Sequence, residues 1–221
     1  PSEELLEATR AAGYDGPATY VPNGVDSQRF KPAPSPLREK HGIAKDEIVI
    51  LVARRLVPKN GVLDFARSAG WFKDLPFRIL IAGDGPEKEA IQTELVTHGL
   101  GERAVFMGNV PNEEMPHLYN AADLSVLPSH MEATSITGLE SLASALPLVG
   151  TQVGGIPELI RPGENGFLVP AHSPESLGKA IRNAILDPAR LEKMGSCSLE
   201  IAKQFHWPKI AGRTLEIYRS L

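Results

Sequence analysis

Six short apolar runs set the limits of what this chain can fold into. They are EIVILVARR (47–55), FRILIAG (77–83), AVFMGNV (104–110), LSVLP (124–128), PLVGTQV (147–153) and GFLVP (166–170). Each is a near-continuous Val/Ile/Leu run rather than an alternating one, the pattern of a strand covered on both faces. Between them lie helical patterns at 62–72, 86–98, 112–121, 135–146 and 174–186. Strand-helix repetition needs crossovers, which are right-handed. The pattern therefore predicts an α/β fold with a doubly wound, parallel, Rossmann-like sheet of about six strands. Ligands of such sheets sit beyond the carboxyl ends of the strands, so those loops hold the candidate chemistry.

The 221 residues suffice for a sizeable core, and a net charge of -4 argues against a nucleic-acid partner while leaving room for a local basic pocket. The single cysteine, Cys197, excludes an internal disulfide and suits a reducing compartment. No apolar run approaches the roughly 20 residues of a membrane span, and the N-terminus does not read as a signal peptide. The expectation is a cytoplasmic protein. Both ends differ from the middle. Residues 1–36 read as a short helix and a Pro-rich connecting segment, 37–205 as the main domain, and 206–221 as the last of three successive amphipathic helices.

The first run ends in VARRLVPKNG, with Arg54, Arg55 and Lys59 at or just past its carboxyl end. Adjacent strand residues point to opposite faces, so one arginine of the two should face a given pocket. An Arg with a Lys there could clamp a diphosphate, or the charges could simply be solvated. GDGP (83–86) is turn chemistry with Pro86 suited to a first helical turn, and it lacks the third glycine of a dinucleotide fingerprint. VGGIPE (153–158) offers close backbone approach at Gly154 and Gly155 before a helix expected to start near Ile156; a plain tight turn is the alternative. PGENG (162–166) reads as a turn.

MEATSITGLESLA (131–143) spaces Glu132 and Glu140 eight positions apart. Thr137 and Glu140 match a capping box, which would explain one carboxylate and leave Glu132 without a role. Two separated carboxylates can instead hold two sets of vicinal hydroxyls, with a helix N-terminus between them offering N–H groups to an anion. Hydroxyl pair, phosphate, hydroxyl pair is the outline of a nucleotide-sugar.

These stretches together resemble the C-terminal half of the retaining glycosyltransferases of family 4, one half of a GT-B fold. VPNGVD (21–26) looks like that family's linker, RRLVPKNG its diphosphate loop and IAGDGP its second-strand turn, while Glu132 and Glu140 meet its E-x7-E pattern. GNVPNEEMPHLYNAADLSVLPS, GGIPELI, GENGFLV and FHWPKI also follow it in order. The resemblance implies that Arg55 and Lys59 bind the donor diphosphate and stabilise leaving-group charge, and that Glu132 meets the transferred sugar. It further implies that backbone groups at Ser135, Ile136 and Thr137 meet sugar and phosphates. Glu140 would hold the ribose, and Gly108, Asn109 and Val110 would cradle the base. A nucleoside-diphosphate sugar such as a UDP-sugar is then the substrate, with no cofactor and no metal in the chemistry, in keeping with the lack of a D-x-D motif.

Two positions depart from the family: Asn60 stands where a lysine is usual, so Lys59 is offset by one, and Ser135 stands where a glycine is common. The acceptor-binding N-terminal domain is expected to be missing, with the last helix crossing back toward it. Any membrane contact, at the inner face, would come through that domain. The chain is then a donor-binding half that transfers nothing alone. The competing readings are a non-catalytic nucleotide-sugar-binding or regulatory module, a nucleotide-sugar epimerase, which E-x7-E argues against, and a dinucleotide dehydrogenase, which the missing G-x-G-x-x-G argues against.

Overall fold

The computed structural model describes residues 2–220; Pro1 and Leu221, the outer ends of the expected terminal segments, lie outside them. In chain order the elements begin with helices α1 (Glu3–Ala11) and α2 (Leu37–Lys40), then strand β1 (Ile48–Ala53). They continue with α3 (Val62–Ser68), β2 (Phe77–Ala82), α4 (Lys88–Thr97), β3 (Ala104–Gly108), α5 (Met115–Ala121) and β4 (Leu124–Leu127). The chain closes with α6 (Ile136–Ala143), β5 (Leu148–Thr151), β6 (Gly166–Val169), α7 (Pro174–Ile185), α8 (Pro188–Ala202) and α9 (Trp207–Ser220).

All six strands form one parallel sheet in the order β3-β2-β1-β4-β5-β6, the doubly wound Rossmann-like arrangement that the apolar runs predict. The winding reverses between β1 and β4, and the crevice beyond their carboxyl ends is the switch point where such sheets bind ligands. Strand alternation divides the core in two. Val49, Leu51 and Ala53 of β1 pack with Leu118, Tyr119, Leu139 and Leu142 on one face, under α5 and α6. Ile50 and Val52 pack with Phe65, Ile91, Leu95 and Ile181 on the other, under α3, α4 and α7.

Local chemistry starts and stops the helices. Ser2, Ser173 and Asp187 each cap a helix with a side-chain oxygen that accepts a first-turn N–H, and Pro174 and Pro188 follow at positions that need no N–H donor. At the far end, Val25 N–H donates to Phe205 carbonyl at 2.7 Å, and Val25, Phe30 and Leu37 are buried in the same core as β1. Residues 25–37 are thus packed against the domain, while α9 buries Ile210 and leaves Leu215 and Tyr218 exposed.

Three expectations need correction. The first apolar run extends past its strand: β1 ends at Ala53, so Arg54 and Arg55 lie in the loop and strand alternation does not separate them. Pro86 precedes α4, whose first residue is Lys88. No helix starts near Ile156, because residues 154–159 form successive turns. Gly154 has φ +53°, Gly155 N–H donates to Ala133 carbonyl at 3.0 Å, and the Glu158 carboxylate accepts from the Tyr20 hydroxyl and the Glu3 N–H. The groups that would open a helix are committed elsewhere.

Leu51 sits at the centre of this core with no solvent exposure. Leu51→Ala should lower the unfolding free energy by roughly 2–5 kcal/mol, whereas Val96→Ala, on the exposed face of α4 at 64 % exposure, should stay within about 0.5 kcal/mol. Urea denaturation of the two variants measures both.

Candidate functional site

The loop after β1 is built to hold charge at the switch point. Arg54 N–H donates to Ala82 carbonyl at 2.9 Å and Leu56 N–H to Asp84 carbonyl at 2.9 Å, so the loop runs on beside the end of β2. A single 3₁₀ turn, Pro58–Asn60, follows. Asn60 is buried, and its side-chain amide donates to Arg55 carbonyl at 2.8 Å, closing the loop on itself. The departure at position 60 therefore has a structural use: an amide locks the loop, and Lys59 alongside supplies the exposed ammonium. Gly61 ends the turn at φ +64°, where a Cβ would lie 1.9 Å from Pro128 carbonyl, so a larger residue cannot bring the loop this close to the end of β4.

A cleft of about 350 Å³ opens at this point. Arg54, Arg55 and Lys59 line one side; Gly83, Asn109 and Val110, beyond β2 and β3, line a second; Glu132 and Thr137 close the third. Three cations converge where the sequence reading allowed a clamp of one Arg and one Lys. A larger cavity of about 500 Å³ at the amino ends of the strands has Asp46, Glu47, Asp123 and Glu192 beside a single cation, Lys45. It lies on the wrong side of the sheet for a switch-point ligand, and its charge does not suit an anion.

Arg54, named beside Arg55 in the sequence but given no role there, ties the loop after β1 to the helix opposite. Its guanidinium is ion-paired with the Glu132 carboxylate and donates to Ser135 Oγ at 3.0 Å, with side-chain exposures of 9 % for Arg54 and 14 % for Glu132. Its Nε is buried without a hydrogen-bond partner. A planar, permanently charged fork is well suited to tie two loops in this way. The usable signal was its place, one residue past the last strand residue and directly before Arg55.

The helix opposite starts differently from the capping-box expectation. Ser135 is the N-cap of α6: its backbone is extended and its Oγ accepts from Gly138 N–H at 3.2 Å. Thr137 lies inside the first turn, with its hydroxyl 3.5 Å from Ser135 Oγ. Ser135 is fully buried, which explains the departure there: its hydroxyl caps α6 and receives Arg54. The N–H groups of Ile136 and Thr137 belong to the turn with no intrahelical acceptor and can serve an anion. The Ile136 side chain itself is exposed. Gly154, at φ +53°, packs from below; a Cβ there would come 1.6 Å from Glu132 carbonyl.

Glu140, one turn further along α6, does not reach back to the helix start. It accepts a 2.7 Å hydrogen bond from the hydroxyl of Tyr119, a fully buried residue of α5. Burial pushes the Glu140 carboxyl above the usual glutamate range, against the Tyr119 hydrogen bond and the Arg29 charge, which pull it down. The Tyr119 phenol is raised well above its ordinary value, by burial first and by the Glu140 charge second. Gly108 ends β3 and accepts from Gly83 N–H at 2.7 Å, which joins the loop Gly108–Val110 to the cleft wall.

The raised Glu140 acid sets a pH dependence. Folding favours its protonated form, so the carboxylate's penalty is absent below the unfolded-state pKa and grows as pH rises through the raised folded value. Glu140→Gln keeps an acceptor for Tyr119 and removes the charge. The variant should melt with the wild type below about pH 4 and above it near pH 8. Asp123, also raised by burial, is common to both proteins and drops out of the difference.

With this geometry in hand, the chain can be set beside known proteins. The family model described as Glycosyl transferases group 1 matches residues 35–198. A D-inositol 3-phosphate glycosyltransferase from Acidothermus cellulolyticus is 31 % identical over 212 residues, 90 % of this chain and 47 % of that protein. D-inositol 3-phosphate glycosyltransferase 1 from Catenulispora acidiphila is 32 % identical, over 89 % of this chain and 50 % of that protein. The chain thus spans about half the length of the curated relatives it matches. Among solved structures, Anabaena HepE in complex with UDP superposes with a TM-score of 0.90 at 26 % identity, covering 100 % of this chain and 62 % of that one. The C-terminal domain of a glycosyl transferase group 1 family protein from Francisella tularensis gives 0.72 at 25 % identity, covering 82 % of this chain and 97 % of that one. With three quarters of its length matched and the switch-point cleft within that stretch, the chain belongs to the group 1 glycosyl transferases.

Proposed function

We propose that this chain is the donor-binding half of a retaining family 4 glycosyltransferase of the GT-B type, and that it binds a nucleoside-diphosphate sugar with UDP as its nucleotide. The observation that carries the reading is the convergence of three cations, the Glu132 carboxylate and the first turn of α6 in one cleft, with Glu140 further along the same helix. HepE, whose structures hold UDP and UDP-glucose, supports the choice of nucleotide.

In this reading Arg55 and Lys59 hold the diphosphate and stabilise the charge that grows on the leaving group, with the first-turn N–H groups of α6 adding to them. The base lies against Gly108, Asn109 and Val110, and the ribose diol donates to Glu140. Glu132 meets hydroxyls of the transferred sugar while Arg54 fixes its carboxylate from behind. None of these roles calls for a cofactor or a metal. The acceptor belongs to a partner domain that completes the cleft, reached through segment 1–36 and residues 206–221. The full-length enzyme acts in the cytoplasm or at the inner face of the membrane.

Calorimetric titration of the 221-residue chain with UDP, GDP, ADP and the corresponding nucleotide-sugars tests the reading. UDP and UDP-sugars should bind, weakly, because one wall of the cleft lies in the other domain. Glu140→Ala should weaken UDP and UDP-sugar alike, about tenfold or more, as a lost charged hydrogen bond of roughly 1.5–3 kcal/mol requires. Glu132→Ala should leave UDP nearly unchanged and weaken only the UDP-sugar. Unchanged binding in both variants would remove the two glutamates from the site.

The isolated chain should transfer no sugar to an added acceptor, since in this reading the acceptor is held by the partner domain and must lie against the donor's anomeric carbon to react. Product chromatography after incubation with UDP-sugar and acceptor checks this; turnover at ordinary enzyme rates would overturn the half-enzyme reading.

A further inference from the structure

Behind the loop that carries Lys59, three side chains from separate elements meet in a way that the donor reading does not use. Asp64 stands in the first turn of α3, His130 in the loop after β4 and His172 in the loop after β6. The Nε2 atom of His130 lies 2.8 Å from Asp64 Oδ2, and the His130 and His172 rings lie 3.8 Å apart at 34°. One ligand atom from each residue falls within 4.8 Å of the other two, and among the described residues this is the one such cluster of His, Cys, Asp and Glu.

Two features set it apart from a simple ion pair. His172 has φ +56°, in the left-handed region that non-glycine residues seldom adopt, and this backbone presents its imidazole beside His130. Asp64 is buried and is itself oriented by Arg67, which donates to its other oxygen at 3.2 Å, the kind of outer contact that fixes a ligating carboxylate. His130 is in turn held by its backbone, whose N–H donates to Lys59 carbonyl at 2.9 Å.

We infer that Asp64, His130 and His172 bind a zinc ion or a chemically similar late first-row divalent cation. Two imidazoles and one carboxylate are a ligand set of zinc, with water in the fourth position, whereas magnesium and calcium require mostly oxygen. The ion ties α3 and the loops after β4 and β6 into one unit. It sits against the backbone of Lys59 and two residues from Glu132, so it steadies the loop after β1. It lines no part of the switch-point cleft and takes no part in sugar transfer.

Calorimetric titration of the chelator-treated chain with ZnCl2, and in parallel with MgCl2, tests the site. One equivalent of zinc should bind and magnesium should give no saturable heat. His172→Gly is the informative variant, because glycine adopts φ +56° freely and removes only the imidazole. It should retain the wild-type melting temperature in chelator and bind zinc about tenfold more weakly or worse; His130→Ala should do the same in the titration. No saturable zinc binding by the wild type would overturn the assignment. So would equal zinc affinity in His172→Gly, which would move the metal to the other histidines, or an equal response to magnesium.

Discussion

Strand β1 is buried on both faces and paired on both edges, and that constraint orders the rest of the molecule. None of its side chains can carry charge, so the polar groups of this stretch must leave the sheet together at its carboxyl end. They do so within seven residues, at Arg54, Arg55, Lys59 and Asn60. The neighbouring strands end at the same level, and their loops bring Gly83, Asn109 and Glu132 to the same cleft. A two-sided core therefore creates a one-sided site.

Concentrating cations in this way is unfavourable unless carboxylates and helix ends answer them. Arg54 meets Glu132 and Ser135, and in doing so it binds the loop after β1 to the start of α6. That pair is mostly withdrawn from water, where breaking one partner strands the other charge. The remaining cations, Arg55 and Lys59, are exposed, so their positive charge stays hydrated at the cleft.

Glu140 carries a cost that the packing of α6 imposes. Its carboxylate is buried by the packing of α6 and answered by the Tyr119 hydroxyl, which leaves lone pairs unused. The same burial that raises its pKa costs stability once the carboxylate is charged.

Periodicity and composition determined the parallel sheet, its six strands and the edge at which the cleft opens, because apolar runs and helix spacing report burial directly. They also singled out Arg55, Lys59, Glu132, Thr137, Asn109 and Val110, all of which line one cleft. What the tertiary structure alone decided concerns direction and partnership. Two adjacent arginines both face the cleft because β1 stops at Ala53, one residue before strand alternation would have separated them. Ser135, not Thr137, caps α6, since the loop enters the helix earlier than the motif suggests. The turns after β5 replace an expected helix because α1 and the loop at Ala133 claim their N–H groups, across more than a hundred residues in the case of Glu4 and Gly154. His130 and His172 meet only when β4 and β6 are laid in the same sheet. Such contacts join residues far apart in the chain, and no local pattern encodes which partner a polar group will find.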